Sequence, residues 1–296
     1  MRPRTWILGV LLVIAVGGAA FLLAEEKIEH VLSPETGALR PPNGEWIASV
    51  PGDRAEVWAV GDSDPPRSAR VARVLRRANP DRILYLGDVY PRGSADDFRR
   101  WAKPFGGLLD RIAPTPGNHE WPEAQEGYEP FWRKVTGETP PTFYSFRAGG
   151  WEILSVNSEH SEYRAIESWL QERVSSGGDC RIAFWHRPRF SAGHHDANND
   201  RVKEYWEVIR GFARILVTGH DHNMQRMRAR DGTVQFISGA GGRRLYAVDE
   251  DDRRLAFSDD THHGALRLSL SPGQARWRFV SARGRGLGSG TLTCRA

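Results

Sequence analysis

The chain has 296 residues, 26% of them charged and 10% aromatic, with a net charge of +4. That length holds one large domain or two small ones, and the composition excludes a disordered chain or a fibrous repeat. Nearly all of its 41 basic residues are arginine, but they form no long run, so a nucleic-acid footprint is not supported; two cysteines exclude a disulfide-built miniprotein and a cysteine-rich zinc module.

Thr5 to Ala24 carries no charge and is flanked by Arg2 and Arg4 before it and by Glu25, Glu26 and Lys27 after it. A helix of that length spans about 30 Å, the thickness of a bilayer core. The flanking charges predict an amino terminus left in the cytoplasm and an exported remainder, in the periplasm or outside the cell. Small residues from Gly17 to Ala20 leave a cleaved signal peptide open beside a membrane anchor. Residues 1–24 therefore read as signal anchor or signal peptide. Residues 25–51, with Pro34, Gly37, Pro41, Pro42 and Gly44, read as a linker, and 52–296 as one domain without repeats.

Within that domain, short apolar strands alternate with helical patterns. "EVWAVGD" reads as a strand ending at Asp62, Ser68 to Ala78 as a helix, and "RILYLGD" as a strand ending at Asp88. Asp96 to Leu109 is helical with a break at Pro104, and Arg111 to Pro116 leads into "GNHE". "TFYSFRA" and "WEILSVNS" form a hairpin through Gly149 and Gly150. Glu162 to Ser175 is an amphipathic helix, "CRIAFWH" a strand, Arg201 to Phe212 a helix, and "ARILVTGHDH" a strand ending in histidines. Strands "TVQFISG", "ALRLSLS" and "ARWRFVS" and a glycine-rich terminus complete the chain. This alternation predicts a largely parallel sheet with crossover helices.

The polar clusters fall just after the strands, where an open α/β sheet places its ligands. They are Asp62, Asp88, Asn118 with His119, His186, and His220 with His222. A glycine–aspartate pair alone is an ordinary turn, and a lone strand histidine is most often structural. The ordered set is different: two carboxylates, an amide oxygen and several imidazoles suit Zn, Fe or Mn rather than calcium or a thiolate cluster. Two such ions about 3.5–4 Å apart generate hydroxide and stabilise an in-line phosphoryl displacement.

The series GD, GD, GNHE, H and GHDH resembles the calcineurin-like metallophosphoesterase superfamily. Within it, "AFWHRPRFSAG", "VTGHDHNMQR" and the terminal "GSG" with its cysteine resemble bacterial exported members related to purple acid phosphatases. The resemblance covers Val57 to Cys294 and implies a four-layer αββα sandwich with a bimetal centre above the sheets. It implies that Asp62 and His222 hold the first metal, Asp88 bridges, and Asn118, His186 and His220 hold the second. His119 is then the group that contacts phosphate and protonates the leaving oxygen, a role suited to imidazole. The implied activity is hydrolysis of phosphate esters by a hydroxide on two metal ions, monoesters favoured. A non-catalytic phosphate-binding module and a phosphodiesterase or nuclease are the alternatives.

Two positions depart from the pattern. Asp64 stands where many relatives have histidine, and Tyr90 follows Asp88 by two residues rather than the three of the purple enzymes. That leaves Asp64 or water as substitutes for a tyrosinate, with Tyr90 read as a packed aromatic. Arg187, Arg189 and Arg226 read mainly as salt-bridge partners, and His194, His195, His262 and His263 as loop histidines, the first two in a loop placed to overhang the site. Cys180 and Cys294 are expected to pair in an oxidising compartment.

Overall fold

The computed structural model describes residues 39–177, 180–195 and 202–294. The charge-free leader, the start of the linker and Arg201 lie outside the described residues. Among those described, no helix is long and apolar enough to cross a membrane. β1 (Ala55–Val60), α1 (Ser68–Ala78), β2 (Arg82–Tyr85), α2 (Ala95–Ala102), β3 (Ile112–Pro114) and α3 (Tyr128–Thr136) come first. They are followed by β4 (Phe143–Ala148), β5 (Trp151–Val156), α4 (Tyr163–Ser175), β6 (Cys180–Phe184), α5 (Lys203–Ile209) and β7 (Ile215–Thr218). Six strands come last: β8 (Met224–Met227), β9 (Val234–Ser238), β10 (Leu255–Asp259), β11 (Gly264–Ser271), β12 (Gln274–Ser281) and β13 (Gly286–Thr293).

Where the alternation predicts one largely parallel sheet, two mixed sheets form. One runs β13-β12-β11-β1-β2-β3, the other β10-β8-β9-β7-β6-β5-β4. Parallel pairing is confined to β1-β2-β3 and to β5-β6-β7-β9. The other pairs are antiparallel. β4-β5, β8-β9, β11-β12 and β12-β13 are hairpins, whose connections are too short for the crossover that parallel pairing needs. β1-β11 and β8-β10 pair strands that are not consecutive in the chain.

Period-two alternation explains the layering. Ile153, Ile182, Ile215 and Val217 join a core shared with Val57, Ala59, Leu266 and Leu268 of the other sheet. Their neighbours Leu154, Ala183 and Leu216 face the opposite way, against Ile166 and Leu170 of α4 and Tyr205, Trp206 and Ile209 of α5. Val71 and Leu75 of α1, Phe98 and Trp101 of α2 and Trp132 of α3 pack with the first sheet. The result is helices, sheet, sheet, helices.

Two local findings differ from the sequence reading. The glycine-rich terminus is strand β13, paired along β12 with Gly288 opposite Phe279 and Gly290 opposite Trp277. A Cβ at Gly288 would stand 2.5 Å from the Phe257 ring, and one at Gly290 2.7 Å from the Trp277 indole, so glycine is the residue that fits. In the stretch expected as linker, Trp46 and Ile47 are buried, and Val50 N–H donates to Arg147 O at 2.7 Å. Cys180, at the start of β6, is disulfide-bonded to Cys294 just beyond β13, as expected, with their Cα atoms 5.6 Å apart.

Candidate metal centre

The candidate residues stand after the ends of parallel strands from both sheets: Asp62 after β1, Asp88 after β2, Asn118 and His119 after β3, His186 after β6, and His220 and His222 after β7. Three of them have left-handed backbone, with φ of 60° at Asp62, 62° at Asp88 and 67° at His220. Each such conformation costs on the order of 1 kcal/mol or more outside glycine and persists only where surrounding bonds over-determine it. Here those bonds cross between strand ends: Asp62 N–H donates to Gly87 O at 2.9 Å, and His220 N–H to the Asp62 carboxylate at 3.0 Å.

All six expected ligands are brought together. Asp88, His186 and His220 form one group, and Asp62, Asp88 and His222 another; the donor atoms of each lie within 4.8 Å of one another. Asp88 belongs to both groups, as a bridging residue must. Asn118 Oδ1 joins the first group, 2.9 Å from His186 Nε2, which is itself 3.1 Å from His220 Nδ1. The imidazole tautomers are fixed from behind. His186 Nδ1–H donates to Leu86 O at 2.7 Å and His222 Nδ1–H to Arg244 O at 2.9 Å. This puts the Nε2 lone pair of each ring on the side of the centre, that of His222 engaged by the Tyr90 hydroxyl.

The electrostatics also fit cations. Burial, and then the charge of Asp88, pushes the Asp62 carboxyl well above its ordinary range. Burial acts the same way on Asp88, but His186, His119 and His222 outweigh it and hold Asp88 below its ordinary value. Burial drives His222 down to about 3 and His220 well below the usual histidine range. Among the described residues, Asp88 Oδ2 is buried without a hydrogen-bond donor. Two buried carboxylates, one with an unpaired oxygen, beside the rings of His220 and His222, whose protonation burial opposes, form a donor set suited to cations.

Around this centre, His119 is partly exposed; its Nδ1–H donates to Pro91 O at 2.7 Å and its Nε2 lies 3.9 Å from Asp88 Oδ2. Tyr90 is packed, as the sequence suggests, but its hydroxyl also reaches His222 Nε2 at 2.8 Å. Asp64 turns to Arg243 at 3.2 Å, and that guanidinium lies 4.4 Å over the Tyr90 ring. Arg187 is bound to Glu159 at 2.9 Å and sits 3.2 Å from His220 Nε2, so it belongs to the site's wall. Arg189 stacks over Phe190, Arg226 over Trp277, and His262 bonds Asp259.

His195, read as a loop residue, stacks on His220 with ring centroids 4.0 Å apart and is held neutral chiefly by burial. Sequence reasoning missed Tyr246, whose ring stacks on His222 at 4.2 Å; no motif marks it. It also gave no role to Glu120, though the residue closes the quoted "GNHE". The buried Glu120 carboxylate accepts the N–H groups of Asp88 at 3.0 Å and Val89 at 3.1 Å. Burial, then Asp88, raises Glu120 to about 8.

Comparison with known proteins agrees with this geometry. The chain is 26% identical over 129 residues to tartrate-resistant acid phosphatase type 5 of Mus musculus, a match covering 40% of this chain and 39% of that protein. It is 25% identical over 122 residues to purple acid phosphatase 17 of Arabidopsis thaliana, covering 40% and 34%. These matches span well under half the length of either relative. Among solved structures, purple acid phosphatase PPD1 from yellow lupin (Lupinus luteus) superposes with a TM-score of 0.68 at 16% identity, over 86% of this chain and 55% of that one. GAP50, the anchor in the inner membrane complex of Plasmodium, gives 0.67 at 14% identity, over 83% and 90%. At such identities the likeness concerns the fold alone. The family model of the calcineurin-like phosphoesterases matches residues 55–224, a span that contains every strand end of the centre, and the chain belongs to that family.

Proposed function

We propose that the protein is a metal-dependent hydrolase of phosphate esters, monoesters foremost. The observation that carries the reading is the membership of Asp88 in two donor groups, together with its unpaired buried oxygen. In this reading Asp62 and His222 hold one cation, Asn118, His186 and His220 the other, and Asp88 both. When bound, the two cations draw electron density from the phosphoryl oxygens and acidify water. The chain's own groups do the rest. In its imidazolium form His119, its Nδ1–H engaged by Pro91 O, gives the Nε2 proton to the leaving oxygen as the ester bond breaks and is left as the neutral Nδ1–H ring. His195 and Arg187 wall the side of His220. The preference for monoesters is supported by the acid phosphatases among the relatives.

The same reading has the domain exported, tethered or released according to the fate of the leader. Its supports are the charge-free run Thr5–Ala24 and the Cys180–Cys294 disulfide, a bond at home in oxidising compartments.

The test strips the protein of metal and restores Zn, Mn or Fe one ion at a time. Bound metal is counted, and turnover of p-nitrophenyl phosphate is compared with that of its bis ester. Two ions per chain and faster turnover of the monoester are expected. Fewer than two ions without turnover is the result for a non-catalytic phosphate-binding module, and a preference for the bis ester that for a diesterase; either refutes the monoesterase reading.

A further inference from the structure

Asp221 lies between two candidate ligands, His220 and His222, but its own hydrogen bonds serve something else. Its fully buried carboxylate accepts from the Ser191 hydroxyl, from Asn223 Nδ2 at 3.2 Å, and from the backbone N–H groups of His194 and His195. Ser191 Oγ in turn accepts Gly193 N–H and Gln225 Nε2–H, both at 2.9 Å. The preceding part of the loop is held the same way. Gln225 Oε1 accepts Ala192 N–H at 2.9 Å, and Gln235 Oε1 accepts the N–H groups of Arg189 at 3.1 Å and Phe190 at 3.2 Å. Gly193 rests directly on the carboxylate: a Cβ there would stand 2.2 Å from Asp221 Oδ2. A loop whose amides are met by buried side chains is set in place before any ligand arrives.

We propose that Asp221 is a positioning residue: its carboxylate fixes the His194–His195 segment over His220 and His222 and thereby governs how tightly the site holds a phosphoryl group. The inference rests on the phosphoesterase reading above and adds to it a coupling device. The tripeptide His220–Asp221–His222 supplies candidate metal donors from its outer residues and the anchor of the substrate-facing loop from its middle one.

The test uses Asp221→Asn and two variants that act from the loop side, Ser191→Ala and Gly193→Ala, with His195→Ala as reference. Backbone amide exchange of the segment around Arg187–His195 is measured in the metal-free protein, where neither turnover nor metal enters. Exchange at least about tenfold faster than in the parent is expected for the three anchor variants. In the metal-loaded protein, those variants should keep both ions. KM for p-nitrophenyl phosphate and the inhibition constant of inorganic phosphate should rise about tenfold while kcat changes less than about threefold, the pattern of lost uniform binding. Asp221→Asn combined with His195→Ala should be no worse than His195→Ala alone.

Unchanged exchange would overturn the clamp. Unchanged KM, or effects of Asp221→Asn and His195→Ala that multiply, would overturn its role in phosphoryl binding. A parent that binds two ions but turns over no ester would instead overturn the phosphoesterase reading, with the clamp still judged by exchange.

Discussion

The metal-free protein should lose stability as pH rises from 6.5 to 8, and Glu120 is the reason. Its carboxyl is buried against Asp88 and raised to about 8 from an ordinary 4.5. Between those values the folded chain keeps a proton that the unfolded chain has released, so stability falls as pH rises until the folded group ionises. Below pH 6.5 the slope is masked, because His195, His220 and His222 are pushed down by burial. Those rings are neutral in the folded chain and charged in the unfolded one, so they add stability as pH climbs to the ordinary histidine range. From 6.5, where the unfolded histidines are half titrated, to 8 they return about 1 kcal/mol. Glu120 costs about 2 kcal/mol over the same interval, at some 1.4 kcal/mol per pH unit, which leaves a net fall of up to about 1 kcal/mol. Asp62, also raised, adds in the same direction. Urea unfolding of metal-stripped protein at pH 6.5, 7.25 and 8 measures the fall, and restored zinc should flatten it by satisfying Asp88 and Asp62. A metal-free stability that stays level or climbs across this interval would refute the reasoning.

Three further outcomes follow from the geometry. Asp88→Ala should lower turnover by about 10³-fold or more and reduce the ions bound per chain, since both donor groups contain Asp88; elemental analysis beside steady-state kinetics checks this. His119→Ala should slow alkyl phosphates far more than p-nitrophenyl phosphate, whose leaving group needs little protonation, and equal losses on both would contradict an acid role. Cys180→Ser should cost up to about 4–5 kcal/mol in unfolding experiments, because the bond closes a loop of 114 residues, while leaving turnover of the folded protein unchanged.

The centre was legible in the sequence because each ligand follows an apolar strand and stands beside glycine or within a short polar motif, so residue type and strand end coincide. The parallel cores of both sheets and the boundaries of α1 could be read for the same reason, from strong periodicity. What escaped depends on packing between distant segments. β13 hid behind glycines whose purpose is to admit the Phe257 and Trp277 rings, a need that no local pattern expresses. Tyr90 reads as a packed aromatic until its hydroxyl is seen against His222, 132 residues away in the chain. Asp221 looks like a spacer in "GHDH", and only the folded loop reveals what its carboxylate holds.

The link between Cys180 and Cys294 gives β13 an unusual standing. As the border of its sheet, hydrogen-bonded on one side only, such a strand is where unzipping under load or protease attack ordinarily begins. Riveted to the opposite sheet, it cannot be peeled away one residue at a time, so failure must proceed through a larger cooperative opening. A reducing environment would remove that protection first at this border, well away in sequence from the ligands that the cations need.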